Sequence, residues 1–128
     1  MSLAWTVRLA DQAELDFHDI TTWTTEHFGT KQAEDYSLTI MLAIEALTDG
    51  PEILGSKERE DIGPGIRTLH VERQGRKGRH FVVFREAAGR TIDVLRLLHD
   101  SMDLVRHMKV ADALTFIHPT GPMYLIKK

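Results

Sequence analysis

Apolar residues recur at steps of three and four through the first 49 residues, and at every second position in several later segments. The first spacing predicts amphipathic helices and the second predicts half-buried strands. Trp5 to Leu9 alternates and predicts a short opening strand. Asp11, with Glu14 three residues on, suits the start of a helix as a capping box. That helix carries Ala13, Phe17, Ile20, Trp23 or Thr24, and Phe28 on one face, and Gly29 ends it. A second helix, Thr30 to Asp49, places Ala33, Tyr36, Ile40, Ala43, Ile44 and Leu47 on one stripe and stops at Gly50-Pro51. A single glycine between two helices demands an antiparallel hairpin.

Residues 52–64 are polar and punctuated by Gly55, Gly63 and Pro64, the pattern of a surface loop. Three strands follow, Ile66 to Glu72, His80 to Glu86 and Thr91 to Leu98, joined by short turns that imply antiparallel pairing. Arg67, Leu69 and Val71 fall on one face of the first, and Ile66, Thr68, His70 and Glu72 on the other. Ser101 suits the cap of a short helix reaching Met108. The predicted order is β-α-α-β-β-β with a short C-terminal helix, a helical hairpin on an antiparallel sheet, in the α+β class. Residues 1–109 are expected to form one domain. Residues 110–128 form a C-terminal extension whose docking the pattern does not give.

Composition narrows the function classes. The 128 residues hold no cysteine, which excludes disulfides and thiolate chemistry. No apolar run is long enough to span a membrane and no signal-peptide core opens the chain, so a cytoplasmic protein is expected. The net charge of −3 hides an asymmetry. Residues 1–64 hold 4 Lys and Arg against 13 Asp and Glu, and residues 65–128 hold 12 against 6. A basic second half is a candidate surface for an anionic partner.

Several segments together resemble the ParE branch of the RelE/ParE toxin superfamily. They are ELDFHDI after the first strand, HFGTKQAEDY across the hairpin, GPGIRTL, GRHFVVFRE, and the ending VLRLLHDSMD. The resemblance covers about residues 5–108 and implies the toxin of a type II toxin–antitoxin module. It implies a cognate ParD-like antitoxin as partner and inhibition of DNA gyrase. The RelE branch implies instead a ribosome-dependent mRNA endonuclease. A toxin fold retained as a non-toxic binding module is the third expectation, suggested by the sequence pI near 6.1. No cofactor and no metal are expected.

RNA cleavage by 2′-OH attack needs a general base, a general acid and cations at the phosphate. The residues available for that are Arg67, which matches the arginine of the family's first hairpin strand, with Arg96 and His99 at the end of the last. Lys57 lies among Glu58, Arg59, Glu60 and Asp61, an acidic surround that repels RNA. Tyr124 lies in the tail that the resemblance leaves uncovered. Direct contact with nucleic acid is therefore expected only for ribosome-bound message. The competing expectation gives Arg67, Arg79, Arg85, His99 and Asp103 to partner binding, within a basic set that adds Arg73, Arg76 and Lys77. Arg96, flanked by leucines, needs a carboxylate partner, and an acid such as Asp103 is the expected one. His99, Asp103 and His107 have the spacing of one helix face, and His70 and Glu72 that of one strand face. A metal site would need a further ligand in register.

Overall fold

The structure, a computed structural model, describes residues 4–108 and the backbone of 124–126. The described elements are β1 (Thr6–Leu9), α1 (Asp11–Phe28), α2 (Thr30–Ala46) with a 3-10 turn at Leu47–Asp49, and β2 (Lys57–Glu58). They continue with β3 (Ile66–His70), β4 (His80–Ala87), β5 (Thr91–His99), α3 (Leu104–His107) and β6 (Tyr124–Ile126). The α+β architecture is the expected one, a helical hairpin laid on a sheet. The sheet order is β2-β3-β4-β5-β1-β6. Consecutive strands β3, β4 and β5 pair antiparallel as their short turns require, but β1 runs parallel to β5. The sheet is therefore mixed, because the hairpin carries the chain across between β1 and the strands beside it.

Three local expectations are corrected. Asp11 is the first helical residue of α1 and not its cap; Ala10 holds that place and donates its N–H to the Val94 carbonyl, continuing the strand ladder. The 52–64 segment contains β2, which pairs antiparallel with β3 at Lys57↔Thr68 and Glu58↔Arg67. At α3 the cap is Asp103, whose carboxylate accepts the Arg106 N–H at 3.4 Å, and Ser101 lies before it. The φ of +92° at Gly29 is one that glycine tolerates and a side chain resists, and it lets α1 turn directly into α2.

Both sheet faces are covered. Towards the helices lie Val7, Leu9, Leu69, Val82, Phe84, Ile92, Val94 and Leu97, packed on Ala13, Ile40, Ala43, Ile44 and Leu47. Behind lie Val83, Leu95 and Leu98, closed by Ile62, Leu104 and Met108. β5 serves both faces through a bulge. The ladder matches Val83 with Arg96 but Phe84 with Val94, so Leu95 is the extra residue. It reverses the alternation, with Ile92 and Val94 facing the helices before it and Leu97 after it. Without the bulge Arg96 would enter the helix-facing core in place of Leu97.

Candidate functional site

β1 ends opposite Val94, and β5 continues five residues further with α1 beside it instead of a strand. The Leu97 N–H on that side would be orphaned inside the protein, and Asp16 of α1 accepts it at 2.9 Å. The same carboxylate takes Arg96 through Nε at 2.8 Å and Nη2 at 3.0 Å. Asp16, 80 residues away in sequence, is thus the partner of Arg96, and the expected Asp103 is not. One buried carboxylate holding a bidentate guanidinium and a strand N–H fixes α1 against β5.

Further along, β5 ends at His99, where α1, α2 and β4 converge. Asp19, Ile20, Trp23, Thr24 and Phe28 of α1, Tyr36 of α2, and Arg79, His80 and His99 enclose a cleft of about 550 Å³. Thr24 is the buried one of the pair that the helical pattern left open. Trp23 is 53% exposed and Phe28 61%, both large apolar groups facing water at the cleft wall. Trp23 stacks on His27 at 4.1 Å and meets Phe28 edge-on at 5.8 Å. Gly78 makes room for Tyr36, since a Cβ there would collide with Val71 and press on the Tyr36 ring and hydroxyl.

Hydrogen bonds link the groups at the polar end. The Tyr36 hydroxyl accepts the Arg79 N–H at 2.9 Å and lies 2.6 Å from His80 Nδ1. Burial raises the Tyr36 pKa, so the phenol keeps its proton. Burial first, and then His99 nearby, push the His80 pKa down to about 4, so this imidazole is neutral at physiological pH. His99 Nδ1 accepts the Ser101 N–H at 3.1 Å and lies 2.7 Å from the Ser101 hydroxyl, which puts its proton on Nε2. The two imidazole rings meet edge to face at 5.2 Å.

Asp100 lies just behind. It accepts Arg79 Nε at 3.0 Å and lies 2.9 Å from His70 Nε2, and these partners hold its pKa down at about 2. His70 Nδ1 takes the Glu72 N–H, so His70 has the same tautomer, with Asp100 as its acceptor. Glu72 turns away to the Gly78 N–H at 3.3 Å, and no His70–Glu72 acid–base pair forms.

The structure brings Arg79 and His99 together at this cleft. It places the other predicted residues elsewhere. Arg67 donates Nε to the Pro51 carbonyl and Ser56 Oγ at 3.0 and 2.9 Å, tying the loop after α2 to β3. Arg67 and Arg85 share a separate pocket with Glu52, Glu58, Glu60 and Glu86. Arg76 reaches Thr39 and the Asp35 carbonyl on α2, fastening the β3–β4 loop. Asp103 caps α3, whose four residues do not bring His99, Asp103 and His107 onto one helix face. The Tyr124 side chain lies outside the described residues. Sequence reasoning missed His80, Tyr36 and Trp23 as site residues. A tyrosine on an apolar helical stripe needs a partner for its hydroxyl, and that was the signal the sequence carried.

Residues 7–104 match the family described as the ParE toxin of the type II toxin–antitoxin system parDE. The chain is 32% identical to toxin ParE1 of Mycobacterium tuberculosis over 84% of its own length and the whole of that protein. It is 29% identical to toxin ParE1 of Caulobacter vibrioides, over 79% of this chain and 95% of that one. A solved structure described as the chromosomal ParDE TA system from P. aeruginosa shares the fold, with a TM-score of 0.59 and 22% identity. That match covers 77% of this chain and 98% of that one. The chain belongs to the ParE toxin family of type II toxin–antitoxin systems.

Proposed function

We propose that the protein arrests growth by binding DNA gyrase in the cytoplasm, and that a cognate ParD-like antitoxin neutralises it. The toxin body is residues 1–109. The observation that carries a binding mode is the dispersal of the three residues an RNA-cleaving site would need. Arg96 is closed on Asp16, Arg67 is closed on Pro51 and Ser56, and His99 stands at the cleft without either. His80, the neighbour that could work with His99, has a pKa of about 4 and is a weak base at neutral pH. Exposed apolar groups at Trp23 and Phe28 suit recognition of another protein.

The test is a supercoiling assay with purified protein and gyrase, with and without the antitoxin encoded beside the gene. Inhibition at micromolar toxin, relieved by antitoxin, is expected. Growth arrest with gyrase unaffected and ribosome-bound message cut would replace this reading with the endonuclease one. Expression of the chain alone without growth arrest would leave a binding module.

A further inference from the structure

The two ends of the sheet are built differently. β2 closes one end with two exposed, charged residues, a form that resists strand addition. β1, towards the other end, reads Thr-Val-Arg-Leu, and its one charge does not guard an edge, because Arg8 is paired with Asp93 of β5 at 2.7 Å. The Thr6 and Ala10 N–H groups go to the Arg90 and Val94 carbonyls, both at 2.9 Å, on the β5 side. Alternation then aims the N–H and C=O groups of Val7 and Leu9 away from β5. These residues are 0% and 4% exposed, and buried backbone groups need partners. β6 supplies them, pairing Ile126 with Val7 and Tyr124 with Leu9 in an antiparallel ladder.

β6 lies beyond residues 7–104, the part matched to the family, and within that part the sheet ends at β1. The cover is thus an addition to the matched toxin body. It is three residues long, and among the described residues it pairs with β1 alone. So short a pairing opens at much lower cost than the core strands.

We propose that the outer edge of β1 is a strand-acceptor site and that β6 is its detachable occupant, closing the edge to strands of other chains. The site takes an extended segment through its main chain, which meets the Val7 and Leu9 backbone groups, the mode of β-strand addition. Tied to the body through residues 109–123, β6 faces β1 at an effective concentration on the order of millimolar. A free strand at micromolar concentration therefore does not displace it. Loss of β6 leaves a row of unpaired N–H and C=O groups beside apolar Val7 and Leu9, a template for pairing with another chain. The device is independent of what the toxin arrests.

The probe is a labelled peptide of the chain's own residues 121–128, GPMYLIKK, titrated into the full chain and followed by fluorescence anisotropy. Ile126→Pro removes the N–H that faces Val7 and should detach the strand. This variant is expected to bind the peptide at least tenfold more tightly than wild type and to melt higher in its presence. The peptide carrying the same Ile-to-Pro change should bind neither protein. A folded variant that takes up the peptide no better than wild type would overturn the proposal. Hydrogen exchange on wild type decides the matter even where the variant does not fold. The Val7 and Leu9 amides should exchange at least tenfold faster than those of Arg8 and Ala10, because the first pair opens with β6 and the second only with β1 itself. Equal protection of all four amides would show that β6 does not detach, and Val7 and Leu9 amides as fast as in an unfolded chain would remove β6 from the site. Either result would overturn the proposal.

Discussion

Two carboxylates flank β5, and each holds an arginine, yet their surroundings set them apart. Asp16 is 8% exposed and divides its oxygens between Arg96 and the Leu97 N–H. Asp100 holds Arg79, itself 68% exposed along its side chain, and His70, at the rim of an open cleft. The first closes a gap in the sheet where β1 runs out. The second steadies the loop and the strand end that carry the cleft's donors. Three residues of one strand thus separate a buried ion pair from the rim of an open cleft, and burial alone distinguishes them. An arginine near a candidate site is evidence about chemistry only once its carboxylate is known.

Breaking the buried side should have the largest effect. Asp16→Ala strands a buried guanidinium and an unpaired strand N–H, and should cost about 3–5 kcal/mol of folding stability. Urea unfolding followed by circular dichroism would measure it. A loss comparable to that of an exposed pair would mean that Arg96 finds water or another acid, and the contrast with Asp100 would collapse. Asp16→Asn should be milder than Asp16→Ala, because the amide oxygen still accepts from Leu97.

Acidification sharpens the other side. The His80 pKa lies at about 4 in the folded protein, below its ordinary 6.5, so on acidification the unfolded chain takes up this proton first. The His80 contribution is therefore complete above about pH 6.5 and is lost as pH falls towards 4. Asp100, at about 2 against an ordinary 3.8, contributes fully above the ordinary value and loses its contribution as pH falls towards 2. Melting midpoints should thus fall in two stages, histidine first. His80→Gln should flatten the upper stage alone, and Asp100→Asn the lower stage alone. At pH 7 the Asp100→Asn loss should be well below that of Asp16→Ala, since Arg79 stays in solvent. Equal slopes in wild type and His80→Gln above pH 4 would show that burial does not govern this histidine.

The legible and illegible parts of the sequence divide along the same line. Spacing alone predicted both long helices, the Gly29 turn and the β3–β5 meander, because each depends on neighbours within a few residues. The parallel placement of β1 was hidden, since it depends on where the whole hairpin delivers the chain. β2 was hidden because its two exposed polar residues carry no alternation at all. The VLRLL run signalled something irregular by putting apolar residues on both faces, and the bulge at Leu95 is its physical meaning. Long-range partners were out of reach. Asp16 looked like one more acid on a helix, and Asp103 seemed nearer to Arg96 only because it was nearer in sequence. At the site, His99 and Arg79 were visible as candidates, whereas His80 and Tyr36 looked like strand and core. Their role arises from one hydrogen bond spanning 44 residues.

Arg67 provides the smallest effect and a check on function. It pairs with Glu58 at 3.4 Å, and Glu58 is 74% exposed, so Glu58→Gln should change stability by less than about 1 kcal/mol. Arg67→Lys removes the Nε donor shared by Pro51 and Ser56 and should cost about 1 kcal/mol, leaving the loop after α2 less firmly tied to β3. Growth arrest should follow stability in both variants. A folded Arg67→Lys protein that has lost its toxicity while binding antitoxin normally would mark Arg67 as a group that touches the target. Arg67 would then have to leave its carbonyl and hydroxyl partners to act, and the pocket it shares with Arg85 would replace the histidine cleft as the surface to map.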